Sequence, residues 1–217
     1  MNINTYATLI SNLPVRQQCF TTKRKTWLKA ENEISWLKQL NDKLFGENTT
    51  LTISRQDIFE TKEPREIIIK TIYWGYSGGM RGTHFVNILK HIDTIENALL
   101  QLRDYQPKTD FNSWKQIFNK VPGLGLSTYS KLLYFFKISF NENPCLILDR
   151  RLIDVFKCKA FNDFSQLSNI RYSNASSNYL DFLKLVSIVA KKINTREENI
   201  ELFLFTFGNN LKASNMK

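Results

Sequence analysis

The chain has few of the residues from which disulfide and metal frameworks are built. Its three cysteines, Cys19, Cys145 and Cys158, are odd in number and widely spaced over 217 residues, which argues against a disulfide scaffold and against a four-cysteine zinc or iron–sulfur cage. A reducing cytosol is the simplest home for such a chain, so a cytoplasmic protein is expected. Histidine is scarcer: only His84 and His91 are present, with no carboxylate-rich cluster beside them. Neither a metal nor another cofactor is therefore expected. Long apolar runs are missing too. No stretch reaches the roughly 18–20 residues of a spanning helix, and residues 1–14 lack the basic start, apolar run and small-residue cleavage site of a secretory signal. A soluble protein with no membrane partner is expected. Internal repeats and low-complexity tails are absent as well.

Acidic residues are in deficit. Thirty Lys and Arg stand against twenty Asp and Glu, a formal charge of +10, and such a balance attracts polyanions such as DNA or RNA. The same balance is common among proteins that bind no nucleic acid, so charge alone does not name a partner. A hydrophobic content of 42% supports one substantial core, or two small helical parts sharing a cleft.

Apolar residues recur at helical spacing. Trp27, Ile34, Leu37 and Leu40 predict a first amphipathic helix; Ile67, Ile68, Ile72 and Trp74 a second, opened by Pro64; Ile95, Leu99 and Leu102 a third. Trp114, Ile117 and Phe118 mark a short helix before Pro122, and Leu180, Leu183, Leu185 and Val189 a longer one ending near Asn194. Thr195 and Glu198 stand in capping-box spacing ahead of a last helix that carries Ile200, Phe203, Leu204 and Phe207 toward Gly208. The fold class is all-α. Two stretches interrupt it: residues 75–82, GYSGGMRG, which hold half of the eight glycines, and the Ser/Asn-rich residues 161–178, expected to be a surface connection.

Between two helical patterns lies a tight glycine hairpin, Pro122-Gly123-Leu124-Gly125. Glycine there lets the backbone approach a phosphate, and the first N–H groups of the next helix carry the positive end of its dipole. An ordinary helix–turn–helix connection is the competing reading. Further on, Leu146-Ile147-Leu148 runs into Asp149, after which Leu152, Ile153, Val155 and Phe156 resume helical spacing, so Asp149 is predicted to cap a helix.

These segments resemble the helix-hairpin-helix DNA glycosylase superfamily, in which a Pro-Gly-hydrophobic-Gly hairpin is followed some twenty residues later by a helix-capping Asp at the active cleft. The closer similarity is to a bacterial branch with an 8-oxoguanine DNA glycosylase fold, carried by Ser130-Lys131-Leu132-Leu133-Tyr134-Phe135, Leu146-Ile147-Leu148-Asp149-Arg150, Tyr73-Trp74-Gly75 and Gly79-Met80-Arg81-Gly82. It covers roughly residues 64–208. Some relatives of that branch are encoded in type IV CBASS antiphage operons. The resemblance implies an all-α, helix-hairpin-helix glycosylase-like fold with two helical parts around a cleft. Residues 1–63 would form an N-terminal helical, basic extension and 64–217 the glycosylase-like region, unless 1–217 is one compact domain. It further implies a DNA N-glycosylase, with or without abasic-site lyase activity, excising a modified or oxidised purine, with DNA and antiphage-system proteins as partners. The alternative is a non-catalytic module of the same fold that binds nucleic acid, a modified guanine or a defence partner.

The resemblance implies roles for individual residues. Asp149 would stabilise the oxocarbenium-like charge of base excision, and Gly123, Gly125 and Ser127 would hold a DNA phosphate. Bifunctional members carry Lys where this chain has Ser127. Lys131 lies one helical turn further on, and helical side chains lean toward the N-terminus, so its amine can approach the place Ser127 marks. Three readings of Lys131 stay open: nucleophile, phosphate contact, solvated helix residue. Trp74, Arg81, Tyr129 and Arg150 are the expected base-pocket or DNA contacts, although aromatic residues in a helical chain are more often core. Lys23, Arg24 and Lys25 form a basic run, solvated or extending a phosphate track.

Overall fold

The computed structural model describes residues 1–104 and 110–211. Among these the chain is mostly helical, with two short antiparallel ribbons. In chain order the elements are α1 (Ala7–Ser11), β1 (Cys19–Lys23), α2 (Leu28–Glu33), α3 (Ser35–Phe45), β2 (Thr50–Ser54), α4 (Arg55–Glu60), α5 (Pro64–Gly75), α6 (His84–Lys90) and α7 (Ile92–Asp104). They continue with α8 (Phe111–Asn119), α9 (Leu126–Phe135), β3 (Ser139–Phe140), β4 (Asn143–Pro144), α10 (Arg150–Lys157), α11 (Tyr179–Lys192) and α12 (Glu197–Phe207). No helix among the described residues is long and apolar enough to cross a membrane. The backbone forms two compact units, Arg16–Ile138 and Met1–Val15 with Ser139–Lys217.

In the Arg16–Ile138 unit, α5 is the spine. Pro64 opens it, and Ile67, Ile68, Ile69, Ile72, Tyr73 and Trp74 are all buried because α4, α7, α9 and the β1–β2 ribbon pack around it. A helix apolar on nearly every face needs that enclosure. The ribbon pairs Cys19 with Ser54 through Lys23 with Thr50. Buried Thr22 receives a hydrogen bond from Trp27 Nε1 and donates one to the Ser77 carbonyl, each 2.9 Å, which moors the glycine-rich loop after α5.

The single helix expected from Trp27 to Leu40 is two helices, α2 and α3, broken at Ile34, whose backbone is extended. In a continuous helix Glu31 and Asn41 would stand about 15 Å apart along the axis. With the break, Asn41 Nδ2 donates to buried Glu31 at 2.8 Å, and Glu31 also accepts two bonds from Arg24. Arg24 is thus no solvated member of a basic run. Hydrogen bonds to Glu31 and Asp42 stabilise its charge and raise its pKa further.

In the other unit, residues 1–15 pack with the C-terminal helices. Asn199, on α12, is 1% exposed. Its Nδ2 donates to the Ile10 carbonyl at 2.9 Å and reaches those of Ser11 and Leu13 at 3.5 Å. Asp163 accepts from Ile3 N at 2.9 Å and from Lys192 Nζ at 2.8 Å. The expected Thr195–Glu198 capping box does not form: Arg196 is the N-cap without a side-chain bond, and Glu198 is held by Arg196 at 3.2 Å. Nor are residues 161–178 merely a surface connection, since Phe164, Leu167, Ile170 and Ala175 are buried. Gly208 follows α12 as expected, but with helical rather than left-handed geometry. A Cβ there would fall 2.6 Å from Val155 Cγ2 on α10, so glycine serves close packing.

Burial alone would raise the pKa of Asp163, but the hydrogen bonds from Ile3 N and Lys192 outweigh it and hold the carboxyl below its ordinary value. A carboxyl depressed in the folded state contributes stability above its unfolded pKa, near 4, that is lost as pH falls through the folded value. Thermal midpoints of Asp163→Asn should therefore be lower than those of the unaltered protein at pH 7 and approach them in acid. Parallel curves across that window would show that the carboxylate contributes nothing.

Candidate active site

The glycine hairpin between α8 and α9 is a tight turn. Leu124 N donates to the Val121 carbonyl at 3.1 Å, and Gly123 has φ +89, the geometry of a type II turn with Pro122 and Gly123 at its centre. A Cβ on Gly123 would also fall 2.5–2.9 Å from His84 at the start of α6. Backbone conformation and packing therefore both demand glycine. Gly125 is the N-cap of α9 and, having no side chain, supplies no capping bond. The Leu126 and Ser127 N–H groups consequently take no protein partner among the described residues. Pro122 and Gly125 are exposed and Gly123 and Ser127 half-buried, so the turn lies at the surface of its unit.

Lys131 is not a solvated helix residue. It is 5% exposed, and its stem runs back toward the start of α9, where Nζ donates to the Ser127 carbonyl at 2.7 Å and to Ser127 Oγ at 3.0 Å. Among the described residues no carboxylate forms a salt bridge with it. Its amine lies 5.3 Å from the centre of the Tyr76 ring. Gly123, Gly125, Ser127 and Lys131 thus lie along one hairpin and the first turns of α9, and among the described residues no carboxylate pairs with the lysine amine.

Arg81 stands exposed in the moored glycine loop, with no side-chain partner among the described residues. Trp74 and Tyr129 are placed differently. Trp74 is 4% exposed, packs edge-on against Phe20 and Phe135 and donates Nε1 to the Gln18 carbonyl at 3.2 Å. Tyr129, 1% exposed, stacks on Phe118. Both rings are enclosed by their own unit, and a base would meet neither without rearrangement. Tyr76, half-buried at the end of α5, is the aromatic residue beside Lys131. His84 and His91 are apart in role: one packs on the hairpin, and the other bonds through Nδ1 to the Asn87 carbonyl at 2.9 Å.

In the second unit, Leu146, Ile147 and Leu148 are buried, and the Tyr179 hydroxyl donates to the Leu146 carbonyl at 2.7 Å, so the strand-like approach to Asp149 is fixed. Asp149 caps α10 as its sequence position predicts. Oδ1 accepts from Arg151 N at 2.9 Å and Leu152 N at 3.2 Å, while Oδ2 takes no hydrogen bond among the described residues. Half-buried, the carboxylate has one oxygen anchored and one available. Arg150 beside it is solvent-directed, its side chain 86% exposed, and Arg151 lies over the Phe205 ring.

The glycine hairpin between α8 and α9 and the Asp149-capped start of α10 are the segments that carry the resemblance to the helix-hairpin-helix DNA glycosylases. A family model described as "Putative 8-oxoguanine DNA glycosylase OGG-like protein" matches residues 13–205. The chain belongs to that family. Comparisons with curated proteins and with solved structures found no match.

Gly123→Ala forces a left-handed alanine against His84 and should destabilise the protein by about 1–3 kcal/mol. Gly78→Ala, with open space around its Cβ, should change stability by less than about 0.5 kcal/mol. Equal thermal shifts for the two would contradict the reading of the hairpin.

Proposed function

We propose that the protein is a DNA N-glycosylase for a modified purine, with Lys131 as amine nucleophile and Asp149 as the carboxylate that stabilises the developing sugar cation. The observation that carries this reading is the return of the Lys131 amine to Ser127, the position where bifunctional relatives bear their lysine. The open N–H groups after Gly125 support a phosphate grip there, and exposed Arg81 and Arg150 supply further cations for the duplex.

In the chemical step, the glycosidic C1′–N bond breaks with its electron pair leaving on the base, which takes up a proton. Cationic charge grows on the sugar, and a carboxylate near it lowers the barrier. The Lys131 ammonium gives up one proton to water so that its nitrogen lone pair can bond to C1′, and the bonded nitrogen then gives up a second. Opening of the C1′–O4′ bond, with a proton taken up by O4′, leaves a protonated Schiff base that borohydride reduces to a stable adduct. The target nucleotide must first be flipped from the stack at a cost of a few kcal/mol.

A panel of duplexes carrying oxidised and other modified purines tests the reading, and the antiphage setting of some relatives makes modified bases of invading DNA part of that panel. Asp149→Asn keeps a competent cap but loses the charge. It should fold normally while excision falls by roughly two or more orders of magnitude. Lys131→Gln should abolish borohydride-trapped adducts. Full excision by Asp149→Asn would reduce Asp149 to a helix cap, and excision of no base by the unaltered protein would favour a non-catalytic binder.

A further inference from the structure

The mechanism needs the Lys131 amine in one place, yet a lysine stem has four rotatable bonds whose rotamer freedom is lost when it is fixed. The end of α5 supplies what holds it. A Cβ on Gly75 would lie 2.7 Å from Lys131 Cδ and 2.9 Å from Cε, so the stem rests directly on the α5 backbone. The next residue, Tyr76, lays its ring against Nζ. Its hydroxyl and that of buried Thr128 are 2.7 Å apart, and it also donates to Ser127 Oγ at 3.5 Å. Ser127 in turn accepts from Lys131. The amine is therefore bounded by the Ser127 carbonyl, the Ser127 hydroxyl and the Tyr76 ring, and the ring is itself tied to the first turn of α9.

We propose that Tyr76 is a positioning residue for Lys131: with Gly75 opening the channel for the stem, its ring and hydroxyl keep the amine at the start of α9. Its catalytic consequence rests on the nucleophile reading above, but the restraint itself can be measured in the free protein. The side-chain contacts of Tyr76 run to Lys131 and to the first turn of α9, so its loss should act through where Lys131 sits.

The test is brief acylation of the folded protein with a small amine-reactive ester, with labelling of each lysine read by peptide mass spectrometry and exposed Lys23 as the internal standard. Tyr76→Ala should raise Lys131 labelling relative to Lys23 about ten-fold, whereas Tyr76→Phe, which keeps the ring, should raise it only about two- to three-fold. Gly75→Ala, which leaves Tyr76 in place but obstructs the stem, should also release the amine and serves if Tyr76→Ala does not fold. On a duplex with an abasic site, Tyr76→Ala should slow borohydride trapping about ten-fold or more with duplex Kd within about two-fold, and Tyr76→Phe should restore most of the rate. Unchanged Lys131 labelling in both Tyr76→Ala and Gly75→Ala would overturn the proposal. Increased labelling together with no trapped adduct even in the unaltered protein would uphold the restraint and defeat the nucleophile reading instead.

Discussion

The closeness of α5 to α9 governs the chemistry available to the Arg16–Ile138 unit. One methyl group at Gly75 would occupy the path of the Lys131 stem, and without that path a long cationic side chain would have no buried route back to its own helix start. The contact depends on α5 being enclosed on nearly every face, because only a helix fixed by α4, α7, α9 and the β1–β2 ribbon can present its terminal backbone so closely to a side chain. Thr22, bonded to both Trp27 and the Ser77 carbonyl, prevents the following glycine loop from pulling that terminus away.

Electrostatics then give the arrangement a direction. Lys131 keeps its charge partners local and weak, two oxygens of Ser127 and an aromatic face, whereas Arg24 is consumed by Glu31 and Asp42. Among the described residues Lys131 has no carboxylate partner, and the Leu126 and Ser127 N–H groups have no acceptor. In the other unit, one oxygen of Asp149 satisfies two amides of α10, and the second takes no hydrogen bond among the described residues.

Much of this was legible in local sequence. Pro64 and the isoleucines that follow marked α5, the apolar run before Asp149 marked its cap, and the spacing of Ser127 and Lys131 anticipated a side chain reaching back one turn. What was not legible depended on tertiary partners. Nothing near Ile34 announces a break whose use is to join Glu31 to Asn41. The Thr195–Glu198 pattern loses to an Arg196 that claims the glutamate, and nothing in the glycine run sets Gly75 apart as the seat of the Lys131 stem. Trp74 and Tyr129 illustrate the same limit, since sequence shows an aromatic residue near a motif but not whether Phe135 or Phe118 already covers its face. Residues 1–15 are joined to the C-terminal part by buried Ile3 and Ile10, by the Tyr6 ring against Phe161 and Phe203, and by long-range bonds through Asn199 and Asp163, contacts that leave no periodic trace.

The central claim is that the folded-back amine of Lys131 is the group that attacks the sugar. Borohydride trapping on a damaged or abasic duplex, followed by proteolysis and mass spectrometry of the nucleotide-bearing peptide, tests it most directly. The account predicts the reduced sugar adduct on Lys131; an adduct on any other amine of the protein would contradict it.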